Sequence, residues 1–303
     1  MRWFPLARKE FRGIVRYKGT WLFTLLLVYF GYQPSYIGYR GIGPDITIAY
    51  IQNFATMLLP LGVLLLSYRS IIKERRSGSL KFPLGLPLTR TDVLLGKIAG
   101  RTAGLGASVL VACLALASYG LVRYGLFSPL RFVAVVLTTL VYVLVLVSIA
   151  VAISAVTRRA ITATVGVFAG LYLPLFVFWQ IMIRWLNGMI TDTGAGTATA
   201  TGVQAFEPGG VYFLLLRLAP GNAYTVLTNW LLGVGNAARG YVGVVRTTQA
   251  SSSPQVSAFP IVETTLQDPP LYLHEAGGLL VLAVWAVVPI GLAWLRFTRG
   301  DVI

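Results

Sequence analysis

The chain has 303 residues, 56% of them hydrophobic and only 12% charged, with 25 Lys and Arg against 10 Asp and Glu for a formal charge of +15. So apolar a composition excludes a water-soluble globule, and it excludes a nucleic-acid binder, which needs a solvated surface around its basic patch. One Cys (Cys113) and one His (His274) exclude a disulfide framework, a Cys/His zinc site and haem attachment through paired cysteines.

The first element is the basic stretch 1–18. On a helical wheel with Trp3 at zero, Phe4, Leu6, Ala7, Phe11, Ile14 and Val15 fall on an arc from about 300° through zero to about 120°, while Arg8, Lys9, Arg12 and Arg16 fill about 140° to 240°. This predicts an amphipathic helix lying in the membrane interface. Trp3, Phe4 and Phe11 would enter the acyl boundary, and Arg8, Arg12 and Arg16 would face anionic lipid head groups. Glu10 and Lys18 break the pattern, and a basic tail of no fixed structure is the alternative.

Six stretches without a charge follow, at 19–39, 46–68, 102–122, 132–157, 160–183 and 276–295, with lengths of 21, 23, 21, 26, 24 and 20 residues. Each approaches the ~20 residues a helix needs to cross the hydrocarbon core. A charge at the centre would cost at least about 2.5–3.5 kcal/mol. The runs are continuously apolar rather than alternating, which predicts helices and not a barrel. Gly31, Gln33 and Pro34 interrupt the outer third of the first span, and Pro60, Pro174 and Pro289 fall inside later ones. The expected fold is therefore an all-α polytopic membrane protein: an interfacial helix at 1–18, then a six-span domain over 19–303.

Six spans put both termini on one side. That side carries 18 of the 25 basic residues; the other carries seven, with six acids. The positive-inside rule makes the termini cytoplasmic, in the cytoplasmic (plasma) membrane.

Two segments outside the spans are informative. The loop 69–101 places Leu80, Phe82, Leu84, Leu86 and Leu88 between basic clusters, with Pro83 and Pro87 among them. A solvated loop gains nothing from these side chains, so they pack under the membrane domain or dock into another protein. Thr89 and Asp92 form a capping-box pair that starts the third helix at this level, before its apolar part. The excursion 184–275 carries two mobile linkers and, between them, two apolar runs at 211–218 and 223–232, each too short to cross. A re-entrant outer hairpin and a small external module both account for them.

This pattern resembles the permease subunits of ABC-2-type exporters over nearly the whole chain. The most specific match is the loop after span two, where Glu74, Arg75, Gly78-Ser79-Leu80, Leu84, Leu86 and Pro87-Leu88-Thr89-Arg90 follow the family's order of charged run, Gly-Ser-Leu, apolar residues and Pro-apolar-Thr-Arg. In that family the loop forms a coupling helix held in a cleft of the ATPase subunit. The resemblance therefore implies that 79–86 docks, with Glu74 and Arg75 beside it and Arg90 behind. Pro83 departs from the pattern and would shorten or bend the helix. Among subgroups the chain looks most like permeases associated with nitrous-oxide-reductase maturation and copper handling.

No Gly-x-x-x-x-Gly-Lys-Ser/Thr phosphate loop is present; Gly96-Lys97-Ile98 is the nearest fragment. The resemblance thus implies a separate ATPase subunit that carries ATP and Mg, no cofactor on this chain, and a second permease copy, identical or sister. Catalysis by this chain is disfavoured, since a membrane serine protease needs a His base and none of the spans holds an acid. The rival reading is an ion-coupled secondary transporter or channel, for which these spans offer no ionisable group.

Overall fold

The structure, a computed structural model, describes residues 3–32, 43–68, 70–72, 89–157, 159–190, 198–199, 202–203, 209–238, 262, 266 and 268–299. These are overwhelmingly helical, with one two-residue antiparallel ribbon, β1 (Ala198–Thr199) against β2 (Gly202–Val203). Among the described residues four helices are long and apolar enough to cross a membrane, and a bent pair makes a fifth if its halves form one span.

Helix α1 (Phe4–Arg16) opens with Pro5 in its first turn, where a missing N–H costs nothing. Extended Tyr17 separates it from α2 (Lys18–Gly31). At this joint Thr20 Oγ1 donates to Ile14 O at 2.8 Å and Trp21 Nε1 to Val15 O at 2.8 Å, so side chains satisfy carbonyls that the broken helix leaves over. The 14 residues of α2 rise only about 21 Å, short of the ~30 Å hydrocarbon core. The outer part expected for the first span begins at residue 33, outside the described residues.

The stretch expected as the second span is bent by 51° between α3 (Ile46–Met57) and α4 (Leu59–Ser67). Pro60 supplies the reason, because it lacks the N–H that would bond the carbonyl four residues back and its ring crowds that carbonyl. Helix α5 (Arg90–Tyr124) is the longest, at 35 residues, and it starts as the sequence predicts, with Thr89 and Asp92 in a reciprocal capping box. Helix α6 (Pro129–Val156) follows. The stretch expected as the fifth span divides into α7 (Ala160–Val167), a π-helical stretch at Phe168–Val177 and α8 (Trp179–Ile190). Pro174 lies within the widened turns, where the i→i−4 ladder could not have used its nitrogen. Two helices of the excursion, α9 (Gly210–Arg217) and α10 (Pro220–Leu232), precede α11 (Gly277–Arg299).

The core lies between α3, α5 and α6, where Ile48, Ile51, Phe54, Leu105, Val109, Ala112, Tyr142, Leu146 and Val151 are fully buried. Helix α11 lies along α6, and α10 is inserted among α3, α6 and α11, burying Ala223, Tyr224, Val226 and Leu227. Polar contacts pin α10 there: Gln52 Nε2 donates to Thr228 Oγ1 and to Asn229 Oδ1, both at 2.7 Å, and the Tyr224 and Thr139 hydroxyls meet at 2.9 Å. The outward faces keep Leu114, Leu121, Leu137, Leu280, Val287 and Leu292 exposed, as lipid-facing helices do.

Candidate functional site

Two ends of the bundle are chemically different. At one end Tyr32 and Tyr119 share a hydrogen bond of 2.7 Å, Tyr50 and Tyr124 one of 2.8 Å, and Asp45 holds both Ser128 N and Arg131. Tyrosines at that level fit an interfacial belt, although Tyr50 is fully buried and its hydroxyl meets that of Tyr124 rather than water. The other end collects α1, the end of α4, the start of α5, the end of α6 and the last turns of α11. This basic end is where the chain leaves α4 and re-enters α5, and it is the candidate functional site.

The local structure of the site begins with glycines. Gly96, Gly100 and Gly104 recur every four residues on one face of α5, and α1 lies directly on that stripe. A Cβ on Gly100 would sit 2.3 Å from the carbonyl oxygen of Ala7, and one on Gly104 2.8 Å from Ile14 Cβ. Small residues at this spacing let two backbones approach where lipid provides no hydrophobic force to join them.

Close approach brings three charged side chains together. Lys97 Nζ lies 2.8 Å from Glu10 Oε1 and also donates to Ser70 O at 3.2 Å. Arg101 NH1 donates to Leu66 O at 2.9 Å, while its Nε is 3.0 Å from Glu10 Oε2 without alignment for a hydrogen bond. Lys97 is fully buried and Glu10 is 8% exposed. Burial pushes the Glu10 carboxyl up, but Arg101 and Lys97 outweigh it and hold its pKa below the ordinary 4.5. Both cations therefore reach carbonyls in and just beyond the last turn of α4, where the helix dipole favours positive charge.

Neighbouring helices close the site. Ser154 Oγ of α6 accepts from the N–H groups of Ile71 at 3.0 Å and Ile72 at 3.3 Å, and Trp294 Nε1 of α11 donates to Thr91 Oγ1 at 2.9 Å. Thr89 Oγ1 and Asp92 N bond at 3.1 Å, with Thr89 N reaching Asp92 Oδ2 at 3.0 Å.

Of the residues singled out from sequence, Arg90 stands at the start of α5, partly buried. Glu74, Arg75, Gly78, Ser79, Leu80, Leu84, Leu86 and Pro87 lie outside the described residues. On α1 the apolar arc divides in two. Leu6, Ala7, Glu10 and Ile14 are buried against α5, whereas Phe4 and Phe11 are exposed beside Arg8, Arg12 and Arg16, and Trp3 is half-buried. Sequence reasoning treated Glu10 as a break in the pattern of the wheel and Lys97 only as part of the fragment nearest to an absent phosphate loop. The signal that marks both is the glycine spacing on α5, with Lys97 one residue and Arg101 five residues past Gly96, together with the place of Glu10 inside the apolar arc, between Leu6 and Ile14.

Among the described residues no group of His, Cys, Asp and Glu side chains is placed to hold a metal ion. The arrangement offers neither a nucleophile with a base nor a ligand set. Its contacts tie the two ends of a loop to each other and to α1.

Comparison with known proteins bears on what such a loop meets. The model of the family described as "ABC-2 family transporter protein" matches residues 42–302. The "Probable ABC transporter permease protein NosY" of Stutzerimonas stutzeri is 34% identical over 120 residues, which are 37% of this chain and 44% of that protein. The protein of the same description in Pseudomonas aeruginosa is 31% identical over 114 residues, 36% of this chain and 42% of its own length. The chain thus matches less than half the length of either relative.

Proposed function

Because the chain belongs to the ABC-2 family of transporter proteins, whose match covers residues 42–302, we propose that it is the membrane subunit of an ATP-driven exporter and moves when a separate ATPase subunit binds and hydrolyses ATP. In this reading the segment 79–86 docks in a cleft of the ATPase, with Glu74 and Arg75 beside it and Arg90 behind. ATP and Mg sit on that partner, and this chain carries no cofactor and catalyses no reaction. The membrane domain has six spans with both termini cytoplasmic, α10 re-enters from the outer side, and α1 lies in the interface with Arg8, Arg12 and Arg16 toward anionic lipid. Two ATPase sites call for two membrane halves, so the working unit contains a second permease copy.

The observation that supports the reading, beyond membership of the family, is the tie between the loop's two ends. Lys97 and Arg101 of α5 reach the carbonyls of Ser70 and Leu66. A loop that only linked two spans would not need its ends held by buried cations, whereas one that transmits force would. The test is ATPase activity of the chain purified with its co-expressed partner. Leu84→Asp and Leu86→Asp are expected to abolish co-purification or stimulation. Variants that retain the partner and stimulate it normally overturn docking at 79–86.

A further inference from the structure

Burying Glu10 and Lys97, with Arg101 partly buried beside them, is costly, since charges leave water and apolar residues of similar volume commonly serve stability as well or better. The glycine stripe alone would bring α1 and α5 into contact. Charged hydrogen bonds add what apolar packing lacks, namely direction: they resist sliding and rotation of one helix on another, while dispersion contacts are individually weak and tolerate both. The bonds present here cross between elements instead of staying within one. Glu10 belongs to α1, Lys97 and Arg101 to α5, and the carbonyls of Leu66 and Ser70 to the end of α4. Ser154 extends the same body to α6 through the N–H groups of Ile71 and Ile72.

We propose that Glu10, Lys97 and Arg101 are positioning residues that lock both ends of the coupling loop and the surface helix α1 into one rigid body, so that a displacement imposed on the loop reaches α1, α4 and α5 together. The proposal rests on the reading of the chain as an ATPase-coupled membrane subunit, and it concerns transmission after docking rather than docking itself. Glu10 is the keystone because each of its oxygens lies beside a different cation, Oε1 by Lys97 and Oε2 by Arg101. Without its charge Lys97 and Arg101 would lose the carboxylate they share, and α1 would lose this polar hold on α5.

The experiment uses the full chain with its ATPase partner in lipid nanodiscs, with Cys113→Ser and a reporter Leu126→Cys at the opposite end of the bundle, where Leu126 is 77% exposed. The rate of thiol labelling is compared with and without ATP plus vanadate. The double variant Glu10→Met, Lys97→Met fills the same space without the charge pair. If the residues served stability alone, it would respond as the unmodified chain does. The expected result is a folded complex with its ATPase in unchanged proportion and a nucleotide response smaller by about fivefold or more. An undiminished response overturns the lock while leaving the coupling reading intact. Loss of the ATPase from the variant also overturns it, by making the cluster part of docking. No response in the unmodified chain overturns the lock and the coupling reading together. Should the double variant not fold, Glu10→Gln decides, since it keeps the shape and removes the charge; a full response there overturns the lock.

Discussion

The α1–α5 contact can be tested with two substitutions that are chemically identical. Gly100→Ala and Gly13→Ala each add one methyl to a helix, and each relieves the conformational entropy of a helical glycine, worth about 0.5–1 kcal/mol. That gain is common to both, so the difference between them reports tertiary packing alone. At Gly13 a Cβ meets nothing within 4 Å, whereas at Gly100 it would lie 2.3 Å from Ala7 O, 2.7 Å from Glu10 Cβ and 2.9 Å from Ala7 Cα. Two of those atoms are backbone and cannot swing aside. A carbon rests against a carbonyl oxygen at about 3.3 Å, so α1 must retreat by about 1 Å. A gap of that size forfeits a quarter to a half of each dispersion contact along the seam, and overpacking of this kind costs about 1–3 kcal/mol. It would also stretch the 2.8 Å Lys97–Glu10 pair. Thermal unfolding in detergent, followed by size-exclusion recovery after heating, should place Gly13→Ala at or above the unmodified chain and Gly100→Ala below it by that 1–3 kcal/mol. If Gly100→Ala were as stable as Gly13→Ala, α1 would not lie on the glycine stripe.

Two further predictions concern the ends of helices. Thr89→Ala removes the side chain that caps α5, costing about 0.5–2 kcal/mol, and should speed amide exchange in the first turn of α5 without altering its middle; unchanged protection would refute the cap. Arg217, buried in α9 with its pKa drawn down to about 10 by desolvation, donates to Leu273 O and Asn236 Oδ1 and so ties the α9–α10 pair to the approach to α11. Lys cannot reproduce that fork, so Arg217→Lys should cost about 1.5–3 kcal/mol locally and accelerate exchange across 210–232 by about tenfold or more; an unaltered rate would refute the tie.

Much of the architecture was legible in the sequence because the signals that carry it are local. A run of apolar residues long enough to cross, a Thr-Asp pair three residues apart and a proline within a helix each act within a few residues. The start of α5 at Thr89, the bend near Pro60 and the widened helix around Pro174 follow from such signals. The short apolar runs of the excursion do become the helices α9 and α10, although composition did not reveal that α10 inserts among α3, α6 and α11.

The site was far less legible. Glu10 and Lys97 are 87 residues apart, and Gln52 and Asn229 are 177 apart, so nothing within a helical turn announces either pairing. Hydropathy could say that α1 has an apolar arc. It could not say that Leu6, Ala7 and Ile14 meet protein while Phe4 and Phe11 stay outside, because lipid chains and helix surfaces are equally apolar. The sequence by itself determined which segments are helical, where several of them start and bend, and that basic residues gather at one end. Only the tertiary structure decided which apolar faces touch each other and which charges are buried together. Those choices depend on close backbone approach at Gly96, Gly100 and Gly104, which brings a carboxylate and two cations from distant segments together, with Lys97 fully withdrawn from water.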